Sequence, residues 1–292
     1  MLKQIFLLIA ATILAGSDLR GQFEQLAQPA RGHVGAAVVL LETGAAVDLN
    51  GDDHFPMQSV YKFPIGMTIL HEVDEGTLKL TQTVRVTPAD LVPARAHSPI
   101  RDQHPKGDVS FTVRELLRFM LVQSDGTASD VLLRLAGGPE RVNTYLHDLN
   151  VQGIVVATTE QKMAQDDRAQ YRNWGTPKAY VELLYAVQEG RGLSASSRKL
   201  LLQLMTETTT GPHRLKGLLP AGTQVAHKTG TSNTVEGVTA ATNDVGLITL
   251  PDGRHLAIAV FVSDSPADEA TREAVIAQMS LAAWSWAKEQ RH

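Results

Sequence analysis

Apolar and polar positions divide the chain into two strand-like ends and a helical middle. Near the start, Val34 to Leu41 is a continuous Val- and Ala-rich run that predicts a buried strand. Glu42-Thr43-Gly44 predicts a turn, and Ala45 to Leu49 a return strand closed by Asn50-Gly51-Asp52-Asp53. The period then becomes helical. Apolar residues follow Ser59 through Ile65, Ile69 and Leu70 to about Glu75, where Gly76 stops the helix. Leu116, Leu117, Met120 and Leu121 mark a helix over Val113 to Val122. Further helices are predicted over Ala128 to Leu135, Pro139 to Leu149, Pro177 to Glu189 and Ser194 to Thr206. Strand pattern returns over Val225 to Thr229, Val245 to Leu250 and Leu256 to Ser263, and an amphipathic helix over Asp268 to Lys288 ends the chain. Thr81 to Thr87 reads as a short extended segment. A polar stretch precedes Val34; the Pro-containing Leu91 to Gly107 is read as a long, irregular surface loop, and the polar Thr158 to Gly175, without a clear period, as another.

Strands at both ends with helices between them predict an α+β layout, in which the first hairpin and the last strands share one mainly antiparallel sheet. The organisation expected is an α/β subdomain from residues 18–60 and 211–292, a helical subdomain from residues 61–210, and a site between them.

Composition adds boundaries. Of the 292 residues, 43% are hydrophobic and 20% charged, as in an ordinary globular protein. A net charge of -4 without any Lys/Arg run offers no surface for nucleic acid. The chain has no cysteine, which excludes disulfides, thiolate catalysis and cysteine metal sites. Met1-Leu2-Lys3, the short apolar run Ile5 to Leu14 and the small residues Ala15-Gly16-Ser17 follow the order of a signal peptide, residues 1–17. The run is too short to span a bilayer, so an exported, soluble mature protein with no membrane attachment is expected, monomeric by default.

Candidate chemistry begins at Ser59-Val60-Tyr61-Lys62. A hydroxyl and an amine three residues apart share one helix face. A serine hydroxyl needs a base to become a nucleophile, and a lysine serves only while neutral, a state that burial or a cationic neighbour favours. Alone, the motif is better read as a helix cap beside a solvated lysine, because Ser-x-x-Lys arises often by chance. Ser124-Asp125-Gly126 breaks the helical region and is either a turn or a second hydroxyl aimed into a cleft. Lys228-Thr229-Gly230-Thr231 ends a strand with a cation, hydroxyls and a glycine that would let a ligand approach the backbone. Glu160 lies in the second polar loop.

In this order, Ser-x-x-Lys, Ser-Asp-x and Lys-Thr-Gly resemble the motif set of penicillin-binding proteins and serine β-lactamases. Asp90-Leu91-Val92, Ser98-Pro99, Thr112 to Leu117, Gly137-Gly138-Pro139 and Leu218 to Gly222 extend the resemblance from Val34 to Trp286, and it is to class A β-lactamases. Gln58 before the serine, Ala226-His227-Lys228-Thr229-Gly230-Thr231-Ser232, and Thr159 to Met163 followed by Asn173-Trp174 resemble the PER-type extended-spectrum branch.

The resemblance implies the serine β-lactamase/D,D-peptidase-like fold and a periplasmic enzyme that hydrolyses the β-lactam of penicillins and cephalosporins, with no cofactor and no metal. It implies Ser59 as nucleophile, Lys62 and Glu160 as proton acceptors, Ser124 as relay to the departing nitrogen, and Lys228 as its support. Thr229, Gly230, Thr231, Ser232, Gly126 and Arg214 fall at substrate-binding positions, and the backbone N–H groups of Ser59 and Thr231 at the oxyanion hole. The alternatives are a D,D-peptidase, which shares the three motifs without the loop glutamate, and a non-hydrolysing penicillin-binding sensor, which usually adjoins a transmembrane signalling region. Two positions depart from the class A pattern. Gly126 replaces an asparagine, and Ala164 replaces the residue that helps Glu160 hold water, so that either Gln161 or a backbone group takes that task or deacylation is slow.

Overall fold

A computed structural model of the chain describes residues 18–290, so the predicted signal segment lies outside the described residues. In chain order the elements are α1 (Leu19–Ala27), β1 (His33–Leu40), β2 (Ala45–Leu49), β3 (Phe55–Pro56), α2 (Lys62–Asp74), β4 (Thr83–Val86), α3 (Pro99–Gln103) and β5 (Val109–Thr112). They continue with α4 (Val113–Val122), α5 (Gly126–Leu135), α6 (Pro139–Asp148), β6 (Ile154–Val155), α7 (Glu160–Gln165) and β7 (Trp174–Gly175). The last are α8 (Pro177–Gln188), α9 (Ala195–Thr206), β8 (Val225–Thr231), β9 (Thr234–Val235), β10 (Val238–Thr249), β11 (His255–Ser265) and α10 (Glu269–Glu289).

The expected α+β arrangement is observed. A six-stranded antiparallel sheet runs β2-β1-β11-β10-β8, with β9 added to β10, so the first hairpin and the last strands do share one sheet. Residues alternate between its two faces because strand side chains alternate. Val34, Ala36, Val38, Ile258, Val260 and Val262 pack with Phe23 of α1 and Val275, Ile276 and Met279 of α10. Ala37, Ala257, Ala259 and Phe261 point the other way, into a larger core with α2, α4, α5, α6, α8 and α9. A sheet covered on both faces explains why β1 and β11 read as unbroken apolar runs.

Two expected loops and the unassigned polar stretch before Val34 contain structure. The polar stretch before Val34 holds α1, whose buried contacts are only Leu19 and Phe23, too few to set a visible period. Leu91 to Gly107 is not simply a surface loop: it contains α3, and Ser98 and Ile100 are buried. Asp125 anchors it, accepting from Ile100 N at 2.6 Å and Ser98 Oγ at 3.1 Å while capping α5 through Ala128 N at 2.8 Å. Thr158 to Gly175 contains α7, a 3-10 turn over Asp167–Arg172 and β7. Among the described residues no helix is long and apolar enough to cross a membrane.

Removing a buried carboxylate that satisfies several donors leaves those donors unpaired. Asp125→Ala should therefore destabilise the protein by about 3 kcal/mol, read as a lowered urea midpoint with an unchanged slope.

Candidate active site

Ser59 sits in a 3-10 turn over Gln58–Tyr61 that runs directly into α2. The turn follows Gln58, whose φ of 47° is left-handed and unusual for a non-glycine residue. Ser124, between α4 and α5, is also left-handed at 59°. Such conformations cost on the order of 1–3 kcal/mol and persist where surrounding contacts over-determine them.

Those contacts centre on Lys62. Its side chain is 1% exposed, and Nζ donates to Ser59 Oγ at 2.9 Å and to the Ser124 carbonyl at 2.7 Å. The same Nζ lies 2.8 Å from Glu160 Oε1 as an ion pair. A second buried lysine, Lys228, donates to Ser124 Oγ at 2.9 Å and to the Thr229 carbonyl at 3.0 Å. Burial and then the charge of Lys62 push the Lys228 ammonium well below the usual lysine range. Ser59, Lys62, Ser124, Glu160 and Lys228 thus form one connected group, brought from the 3-10 turn, α2, the α4–α5 junction, α7 and β8.

The substrate-binding candidates divide. Thr231 and Ser232 line a cleft of about 270 Å³ that also exposes Ser59, Lys62 and Glu160. Thr229 is buried, its hydroxyl 2.5 Å from Thr210 Oγ1. Gly230 faces protein rather than open space: a Cβ there would lie 2.4 Å from the Met57 carbonyl and 3.2 Å from Val60 N. Its lack of a side chain lets β8 close on the Ser59 turn, so the approach expected of a ligand is made by backbone. Asn243 fixes the same junction, donating to the carbonyls of Pro56 at 2.8 Å and Met57 at 3.1 Å. Arg214 is no surface charge. It is buried, paired with Glu273 at 3.0 Å, and donates to Thr231 Oγ1 at 2.8 Å and to the Gly230 carbonyl at 3.1 Å. Gly126 N donates to the His97 carbonyl at 2.9 Å, and a Cβ on Gly126 would lie 3.1 Å from that oxygen and 3.4 Å from Glu160 Cγ.

Near Glu160, Ala164 and Met163 line the cleft, but Gln161 turns away and donates to the Ala89 carbonyl at 2.8 Å. Of the alternatives at this position, the Gln161 amide is thus engaged away from the cleft. Two side chains support this segment, Asp130 without any motif to reveal it and Asn173 from the Asn173-Trp174 pair. Asp130 on α5 accepts from Glu160 N at 2.8 Å and Gln161 N at 2.9 Å. Asn173 accepts from Ala157 N at 2.8 Å and Thr158 N at 2.9 Å and donates to the Thr158 carbonyl at 3.1 Å. A lone helical aspartate carries no sequence signal for such contacts, and the Asn173-Trp174 resemblance marks the asparagine without giving its partners. Gln58 Nε2 also reaches Gln170 Oε1 at 2.5 Å, tying the Ser59 turn to the same segment.

With this geometry established, the comparisons place the chain among known proteins. The Beta-lactamase enzyme family matches residues 18–287. In sequence the chain is 42% identical over 268 residues to Extended-spectrum beta-lactamase PER-1 of Pseudomonas aeruginosa, covering 92% of this chain and 87% of that protein. It is 37% identical over 288 residues to Beta-lactamase VEB-1 of the same organism, covering 98% and 96%. In structure it resembles a β-lactamase from Chitinophaga pinensis DSM 2588, with a TM-score of 0.90, 46% identity, and 93% and 100% of the two chains covered.

Burial, then the charge of Glu160, raises the Asp130 carboxyl from 3.8 to about 7. A carboxyl whose folded value is raised binds its proton more tightly when folded, so its stabilising share is complete below 3.8 and is lost as pH rises through about 7. Asp130→Asn should remove that decline over the same window, measured as denaturant stability of both proteins against pH.

Proposed function

The chain belongs to the β-lactamase enzyme family, and from that membership we propose that it hydrolyses penicillins and cephalosporins through a covalent intermediate on Ser59. The observation that carries this reading is the Glu160–Lys62–Ser59 line, with Lys62 Nζ 2.8 Å from Glu160 Oε1 and 2.9 Å from Ser59 Oγ. It puts a carboxylate beside the nucleophile, which a penicillin-binding protein built on the three motifs alone does not need.

Ser59 Oγ attacks the lactam carbonyl and forms a C–O bond, while its proton passes to the Lys62/Glu160 pair. The backbone N–H groups of Ser59 and Thr231 hold the oxyanion, each donor contributing about 3–4 kcal/mol. As the C–N bond breaks, Ser124 Oγ gives its proton to the departing nitrogen and is resupplied from Lys228 Nζ, which donates to it. Thr231 and Ser232 at the cleft receive the substrate carboxylate, with Lys228 behind them in the positive field of the site and Arg214 orienting the Thr231 hydroxyl. Thr229, Gly230 and Gly126 shape the site through packing. Glu160 then takes a proton from water as the water oxygen bonds to the acyl carbon; the C–O bond to Ser59 breaks, and the proton returns through the Lys62/Glu160 pair to Ser59 Oγ.

The cleft belongs between the subdomain of residues 18–60 and 211–292 and the helical subdomain of residues 61–210, so each supplies part of the machinery. The name of the PER-1 relative supports a cephalosporin range that reaches extended-spectrum substrates. The signal-peptide pattern of residues 1–17 supports action in the periplasm, where β-lactams would otherwise reach their targets.

Ser59→Ala should abolish covalent labelling by penicillin; labelling that persists would mean another nucleophile. Glu160→Gln should still acylate but clear the acyl group roughly 10²–10⁴-fold more slowly, so the adduct accumulates in intact-protein mass spectra. Normal turnover by that variant would assign deacylation to another base.

A further inference from the structure

Two walls of the cleft meet across a charge pair that the reaction described above leaves unused. One wall carries Arg95, Ala96 and His97; the other carries Met163, Ala164 and Asp167. Arg95 Nη2 is ion-paired to Asp167 Oδ1, joining the Leu91 to Gly107 segment to the segment that carries Glu160. Both side chains face water, 42% and 47% exposed, so the pair is weakly held and screened by salt.

Their position follows from how a β-lactam must lie, and here the inference rests on the function proposed above. With the carbonyl over Ser59 and the ring carboxylate at Thr231 and Ser232, the acylamino side chain leaves the ring at the opposite end. That end is bounded by His97, Glu160 and Ala164, with Gly126 buried beside Glu160. Gly126 has no side chain to bind it, and the Gln161 amide is committed to the Ala89 carbonyl. Beyond Ala164, the cleft-lining charges on that side are Arg95 and Asp167. A guanidinium has five N–H donors in a planar fork, so one bond to Asp167 leaves capacity for a second carboxylate.

We propose that Arg95 and Asp167 select β-lactams by the charge of the acylamino side chain, Arg95 receiving side chains that end in a carboxylate while Asp167 restrains it. Such a substrate shares or displaces Asp167 on the guanidinium, and opening the exposed pair widens the passage between the walls. A side chain of the same shape without the carboxylate gains nothing from Arg95.

The test uses three penicillins that differ at one carbon: benzylpenicillin, its α-carboxy analogue carbenicillin and its α-amino analogue ampicillin. kcat/KM is measured for each with the unaltered enzyme, Arg95→Gln and Asp167→Asn, and read as a ratio to benzylpenicillin. Arg95→Gln should lower the carbenicillin ratio about fivefold, the scale of an exposed charge contact. Asp167→Asn should raise that ratio and lower the ampicillin ratio, and added salt should shrink both shifts. Ratios that stay fixed in both variants, or fall for all charged analogues alike, would overturn the proposal while benzylpenicillin hydrolysis continued. Failure of the unaltered enzyme to turn over benzylpenicillin would overturn the parent reading as well.

Discussion

The site depends on one buried ammonium group. Lys62 is held where water cannot solvate it, and three oxygens replace that water: Ser59 Oγ at 2.9 Å, the Ser124 carbonyl at 2.7 Å and Glu160 Oε1 at 2.8 Å. An unpaired charge in such a place is strongly unfavourable, so the segments that supply those oxygens are constrained to converge. The left-handed backbone at Gln58 and Ser124 is consistent with that constraint, since both flank the groups that Lys62 requires.

The surrounding fold makes convergence possible from several directions. β8 presses its backbone against the Ser59 turn because Gly230 has no side chain, and Asn243 on the adjacent strand ties that turn by two hydrogen bonds. Behind β8, the buried His227 imidazole meets Asp244, which also accepts from Leu215 N, next to Arg214. On the other side Asp130 holds the start of α7, and with it Glu160, by two backbone N–H groups. Catalytic geometry here is set largely by polar contacts between segments remote in sequence, with apolar packing supplying the rigid frame.

That division explains what could be read from sequence. Val113–Val122 was legible to the residue because apolar spacing and a Thr112/Glu115 capping box agree. The shared sheet was legible because both β1 and β11 are buried on two faces. β10 was read only from Val245, although it starts at Val238. Its first half is polar yet buried, with Thr242 bonded to Arg272, Asn243 to the Ser59 turn and Asp244 to His227. The six-residue α7 was invisible for a related reason: Asp130 and Asn173 hold it in place from outside its own period. The motifs named the groups that the structure brings together around Lys62, but not that Gly230 accommodates backbone, that Arg214 is buried, or that Gln161 turns toward Ala89.

The central claim is that these groups complete a cycle, with Glu160 releasing what Ser59 captures. Counting product molecules per enzyme molecule tests it most directly, using a chromogenic cephalosporin in large excess over purified protein. The account predicts continued colour development long past one equivalent. A single burst of one equivalent that then stops would contradict it, showing a protein that is acylated and does not recover.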